Sequence, residues 1–126
     1  METHHYNVNL AWQNARKGEI FSPELDTKIE VATPPEFPQG IKGIWSPEHL
    51  FTAAISSCLM TTFLAIAENS KLIFTDFSCN AKGVLATVEG KYQMTEVILE
   101  PKVIIADENQ REKAGGNARA GSGKFT

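Results

Sequence analysis

From Tyr6 the segment His5–Trp12 alternates polar and apolar residues, the two-residue period of a half-buried strand. Arg16-Lys17-Gly18-Glu19-Ile20 offers a turn and a short return strand, and Lys28-Ile29-Glu30-Val31 alternates again. Residues 4–33 therefore read as strands. Thr33–Gly40 reads as a loop, because Pro34, Pro35 and Pro38 fix φ and remove backbone donors. Ser46-Pro47-Glu48-His49 is a helix start: Ser46 can cap, Pro47 suits the first helical position, and Glu48 faces the positive end of the helix dipole. The helix runs to about Asn69. It is apolar nearly all round, which predicts a central, buried helix. Phe74–Val88 and Tyr92–Ile105 return to strands, joined at Glu89-Gly90-Lys91 by a hairpin turn. Asp107 and Gln110 form a second capping pattern, and residues 114–126, with Gly115-Gly116 and Gly121-Ser122-Gly123, read as coil.

This order predicts an α+β domain over residues 1–126, antiparallel strands around one long helix, without internal repeats. A single small sheet covers one side of such a helix. A homodimer with helices packed near a two-fold axis is the expected cover for the rest. Leu50–Ala67 carries no formal charge and reaches the lower edge of membrane-spanning length. Its Thr and Ser content, the flanking Glu48 and Glu68, and the missing Lys/Arg flanks favour a buried helix, so no membrane partner is expected.

Composition narrows the function. The chain has 126 residues, net charge -3 and 42% hydrophobic residues, the makeup of one globular domain. A pI near 5.6 argues against a nucleic-acid partner. Two cysteines exclude a disulfide-rich scaffold, and Met1–Tyr6 has neither the basic nor the apolar region of a signal peptide. The expected location is the cytoplasm, where both thiols stay reduced. Three scattered histidines and two distant cysteines make no metal site, and no phosphate loop or nucleophile elbow is present. No metal and no cofactor are expected.

The residues left for chemistry are few. Cys58, in mid-helix, is either a small core hydrophobe or a redox thiol. A reactive thiolate needs a cation or a helix N-terminus, and Cys58 lies too far along its own helix for that dipole to act. One turn away, Thr61 and Thr62 either bond a substrate oxygen or bond back to helix carbonyls. Glu48 has a plain use as a first-turn dipole partner, His49 as a surface residue of the cap, and Arg16 as a solvated turn residue.

Trp45-Ser46-Pro47-Glu48-His49-Leu50-Phe51-Thr52-Ala53-Ala54-Ile55-Ser56-Ser57-Cys58 resembles the signature helix of the osmotically inducible protein C and organic hydroperoxide resistance (OsmC/Ohr) family: Pro-Glu-x-Leu, small and apolar residues, then Cys. Arg16-Lys17-Gly18 resembles that family's Arg-x-Gly turn, and Phe77–Ile105 its strand hairpin. The resemblance covers roughly residues 5–113. It implies an intertwined homodimer and a thiol peroxidase that reduces organic hydroperoxides in oxidative stress defence. Cys58 would be the peroxidatic cysteine, Arg16 would stabilise its thiolate, and Glu48 would hold Arg16. Phe51, Trp45 and Phe37 would form an apolar substrate wall, with Thr62 beside it. An external thiol would act as reductant. The family's resolving cysteine, on a second long helix followed by a last strand, has no counterpart after Gln110–Ala114, where the chain looks truncated or altered. Cys79, in a strand, is the remaining resolver within the chain, or else a strand thiol without a redox role. In a straight helix Glu48 and Cys58 stand about 15 Å apart along the axis. That spacing favours a composite site, with Cys58 from one chain and Arg16 and Glu48 largely from its partner. Two alternatives stand beside the peroxidase: a catalytically idle dimer serving as redox sensor or small-ligand binder, and, more distantly, a hotdog-type thioesterase.

Overall fold

The computed structural model describes residues 2–106. The second capping pattern at Asp107–Gln110 and the glycine-rich tail lie outside the described residues. The chain divides into two compact units, one ending at Leu50 and one beginning at Phe51.

The first unit is an antiparallel meander, β1 (Asn9–Asn14), β2 (Lys17–Ser22) and β3 (Leu25–Ala32), in the order β1-β2-β3. Asn14 pairs with Lys17 across a tight turn in which Ala15 takes φ 48°. Pairing starts at Asn9 opposite Phe21, later than the alternation suggested. Upstream, Asn7 N donates instead to Glu24 Oε1 at 2.8 Å. After β3 the proline loop turns on its own backbone bonds, Phe37 N to Pro34 O and Gly40 N to Phe37 O. It then returns to β3, where Ala32 N donates to Trp45 O at 2.9 Å. Gly40 is required there: a Cβ would strike the Pro34 carbonyl.

The helix α1 (Pro47–Asn69) starts at the expected residue and ends as expected. Lys71 N donates to Glu68 O and Leu72 N to Ala67 O, with Lys71 at φ 59°. That is a Schellman ending with lysine in the left-handed place where glycine is usual. Buried Leu72 closes it by packing with Ala67 and Phe63.

In the second unit α1 lies on the hairpin of β4 (Phe74–Val88) and β5 (Lys91–Ile105), paired from Phe74–Ile105 to Val88–Lys91. Glu89 and Gly90 both take positive φ, 51° and 79°, as a type I′ turn demands. Leu59, Phe63 and Ala67, spaced four apart, form the buried stripe of the helix. Phe63 is fully buried and stacks on Phe77 at 4.7 Å between ring centroids; Leu59 packs with Val97 and Leu99. Gly83 leaves room for the first turns of the helix, since a Cβ there would collide with Thr52.

The expectation that a small sheet covers one side of the helix is met by this packing. Among the described residues only the helix face bearing Leu59, Phe63 and Ala67 is buried, and Phe51, Met60 and Leu64 each remain about 40% exposed. Two strands reach one side of a helix and no more. By length and composition α1 also suffices to cross a membrane, but its buried stripe packs on the hairpin.

Replacing Phe63 by Ala removes the ring that joins helix to hairpin and should lower the unfolding free energy by about 3–5 kcal/mol. Chemical denaturation of both proteins measures the difference.

Candidate functional site

The cap that begins α1 also sets the site in the first unit. Ser46 is fully buried; its Oγ accepts from His49 N at 3.1 Å and lies 2.7 Å from His49 Nδ1. Leu50 N donates to Ser46 O at 3.0 Å and closes the first turn. Glu48 is thereby held half-buried, with Oε1 out of contact with solvent.

Arg16 reaches the same place by a different route. Its carbonyl accepts from Thr33 N at 3.2 Å, tying the β1–β2 turn to the end of β3. Arg16 and Glu48 both line a cleft of about 440 Å³. Leu10, Trp12, Val31 and Phe37 supply its apolar wall. Lys17 also lines it, but its Nζ is 2.9 Å from Glu30 Oε2. Among the described residues the Arg16 guanidinium makes no ion pair. Its exposed charge stands beside the apolar wall of a cleft that Glu48, Lys17 and Thr33 also line.

Of the residues singled out in the sequence, the structure brings together Arg16, Glu48 and Phe37. Trp45, half-exposed, lines a different cleft with His49 and Glu36, and its ring meets the His49 ring edge-on. His49 is exposed, as expected of a surface cap residue, and its imidazole serves the cap hydroxyl. Cys58, Phe51 and Thr62 belong to the second unit, and all three are exposed. Thr61 takes the local option, donating to Cys58 O at 3.1 Å. Cys79 is a half-buried free thiol in β4, and Cys58 is an exposed free thiol. Ser56, Met60, Phe77 and Cys79 line a second, smaller cavity of about 180 Å³. Among the described residues no three His, Cys, Asp or Glu side chains gather as a metal site.

Two wall residues, Leu10 and Trp12, were missed as site residues. Their sequence signal was the alternation that puts both on one face of β1; the structure leaves them 68% and 76% exposed. A strand that shows an apolar face without burying it marks a surface awaiting something.

Residues 40–119 match the OsmC family of OsmC-like proteins, well over half the chain. The chain belongs to the OsmC-like protein family. It is 26% identical over 107 residues to the uncharacterised protein YmaD of Bacillus subtilis (strain 168), covering 83% of this chain and 69% of that protein. Its fold matches the structure of an OsmC-like protein of unknown function from Vibrio cholerae O1 biovar eltor, with TM-score 0.79 and 24% identity over 95% of this chain and 90% of that one. It also matches an organic hydroperoxide resistance protein OsmC from Legionella pneumophila, with TM-score 0.75 and 21% identity over 95% and 85% of the two chains. At these identities the likeness is one of fold. The expected α+β architecture, antiparallel strands with one long central helix, is that of the OsmC-like fold.

Removing the cap oxygen tests how Glu48 is held. Ser46→Ala should cost about 1 kcal/mol of unfolding free energy. Arg16→Ala, lacking an ion pair to lose, should change it by less than about 0.5 kcal/mol. Urea denaturation distinguishes the two.

Proposed function

We propose that the chain is a cytoplasmic thiol peroxidase for organic hydroperoxides, working as a homodimer with Cys58 as the peroxidatic residue. The observation that carries this reading is the meeting of Arg16 and Glu48 at one apolar-walled cleft, in an OsmC-like chain whose signature helix bears an exposed cysteine. The residues act as a single OsmC-like domain in this reading.

The Cys58 thiolate attacks the distal oxygen of the hydroperoxide. An S–O bond forms, the O–O bond breaks, and the alkoxide leaves and takes up a proton as the alcohol. The peroxide is reduced by two electrons, and Cys58 becomes a sulfenic acid. Arg16 offsets charge on the thiolate and on the departing alkoxide. Glu48 orients the guanidinium. An apolar wall containing Phe37, with Phe51, Trp45 and Thr62 around it, selects organic peroxides over hydrogen peroxide.

Helix geometry and exposed apolar surface support sharing of the site between two chains. Glu48 and Cys58 stand ten positions apart on one helix, about 15 Å along its axis. The uncovered apolar residues Phe51, Met60 and Leu64 call for a second surface. Two antiparallel helices would cover them and carry Arg16 and Glu48 of one chain to Cys58 of the other. The second reading, a dimer that binds a small ligand or senses redox state without turnover, draws on the cleft itself, which has the volume and apolar lining of a ligand pocket.

Mass spectrometry after one equivalent of cumene hydroperoxide tests the chemistry. The wild type should gain one oxygen at Cys58 within seconds, and Cys58→Ser should gain none there. Arg16→Ala should slow oxidation by about 10²–10³-fold, the usual loss of one transition-state charge stabiliser. A wild-type chain that stays reduced would leave the ligand-binding reading. Light scattering should give a dimer mass; a stable monomer would sink the shared site.

A further inference from the structure

The first unit carries a second cleft, of about 430 Å³, lined by Pro35, Glu36, Gly43, Ile44, Trp45 and His49. The proline loop and the start of α1 serve both clefts. Pro34, Phe37, Pro47 and Glu48 line the cleft of Arg16, while Pro35, Glu36, Trp45 and His49 line this one. No lining residue is common to the two.

Two of its walls are rings held in place. Ser46 Oγ accepts from His49 N at 3.1 Å and lies 2.7 Å from His49 Nδ1. A hydroxyl that accepts one bond still has its own proton to give; given to Nδ1, it leaves the ring proton on Nε2. Ser46 is fully buried, so this contact anchors the imidazole to the helix cap. The Trp45 indole stands at 85° to the imidazole, with ring centroids 6.2 Å apart. The Trp45 backbone is itself tied to β3 by the bond from Ala32 N. The residue nevertheless remains 52% exposed. The result is an anchored aromatic corner left open to solvent.

The charge of the cleft has one sign. No Lys or Arg lines it, and with histidine counted neutral at pH 7 Glu36 supplies its formal charge. Among the described residues Glu36 makes no ion pair. Lys42, in the same loop, is exposed and does not line the cleft. The positive end of the α1 dipole is answered by the Ser46 cap and by Glu48 in the first turn. Aromatic rings beside an unpaired carboxylate suit an organic cation. The head group can be narrowed further. Primary amines and guanidinium groups bring only donors, and Nε2–H of His49 is a donor too. A quaternary head brings none, and is satisfied by ring surfaces and a nearby negative charge.

We propose that this cleft binds a small quaternary ammonium compound, with its head in the corner of Trp45 and His49 and its charge offset by Glu36. The proposal does not depend on the peroxidase reading.

Indole N–H signals in proton–nitrogen correlation spectra of the full chain test it, because the chain holds two tryptophans and they line different clefts. Trp45→Phe assigns the two signals. Choline should shift the Trp45 signal saturably, with a Kd in the millimolar range. The Trp12 signal, whose N–H donates to Ala15 O at 3.0 Å, should stay in place. Dimethylbutanol, in which a tert-butyl group replaces the charged head, should bind about fivefold more weakly than choline. Glu36→Gln, a change on an exposed loop, should weaken choline binding about threefold. A Trp45 signal unmoved into the tens of millimolar overturns the proposal, as does a shift of the Trp12 signal alone. Equal binding of the alcohol, or undiminished choline binding in Glu36→Gln, overturns it too, since the cleft would then be selecting shape without charge.

Discussion

The structure depends on a mismatch between one helix and the surface available to cover it. α1 is apolar on nearly every side, and β4 and β5 form a two-stranded sheet that can shelter one. Leu59, Phe63 and Ala67 take the sheltered positions. An exposed apolar face on a helix this long is costly in water, because burial is worth about 25 cal/mol for each Å² removed from solvent. The same mismatch leaves Cys58 at the surface of its own chain. A helix fully enclosed by its own domain would have hidden that thiol among core residues.

Cover and chemistry are therefore linked. In the first unit, backbone hydrogen bonds do the positioning: Thr33 N fixes Arg16 through its carbonyl, and Ala32 N brings Trp45 back to β3 just before the Ser46 cap. Two side chains far apart in sequence, Arg16 and Glu48, come to one cleft. Arg16 gains no ion pair among the described residues, and Glu48 is half-buried.

The second thiol shows how packing constrains redox chemistry. Cys79 and Cys58 belong to one packed layer pair, but the stripe of Leu59 and Phe63 fixes the rotation of α1. Fixing that rotation gives the two sulfurs different environments, one half-buried beside a small cavity and one exposed. The hydrophobic stripe that stabilises the second unit thus also decides which thiol meets solvent.

Much was legible locally. The Ser46 cap, the helix to Asn69 and the Glu89-Gly90 turn depend on short-range sterics and hydrogen bonding, which neighbouring residues specify without help from the rest of the chain. The signature helix with Cys58, and the Arg16 turn, were likewise readable as a pattern. Strand limits were less so: β1 begins at Asn9, although the polar–apolar alternation already runs from Tyr6. The helix's burial was readable only as a need for cover, since composition states how much apolar surface exists and not how much sheet will meet it. Tertiary structure alone decided that Leu10 and Trp12 line the cleft of Arg16, Glu48 and Phe37, and which side of α1 faces Cys79. Those are long-range placements, set by the register of strands and the rotation of a helix, and they are fixed only when distant segments pack against one another.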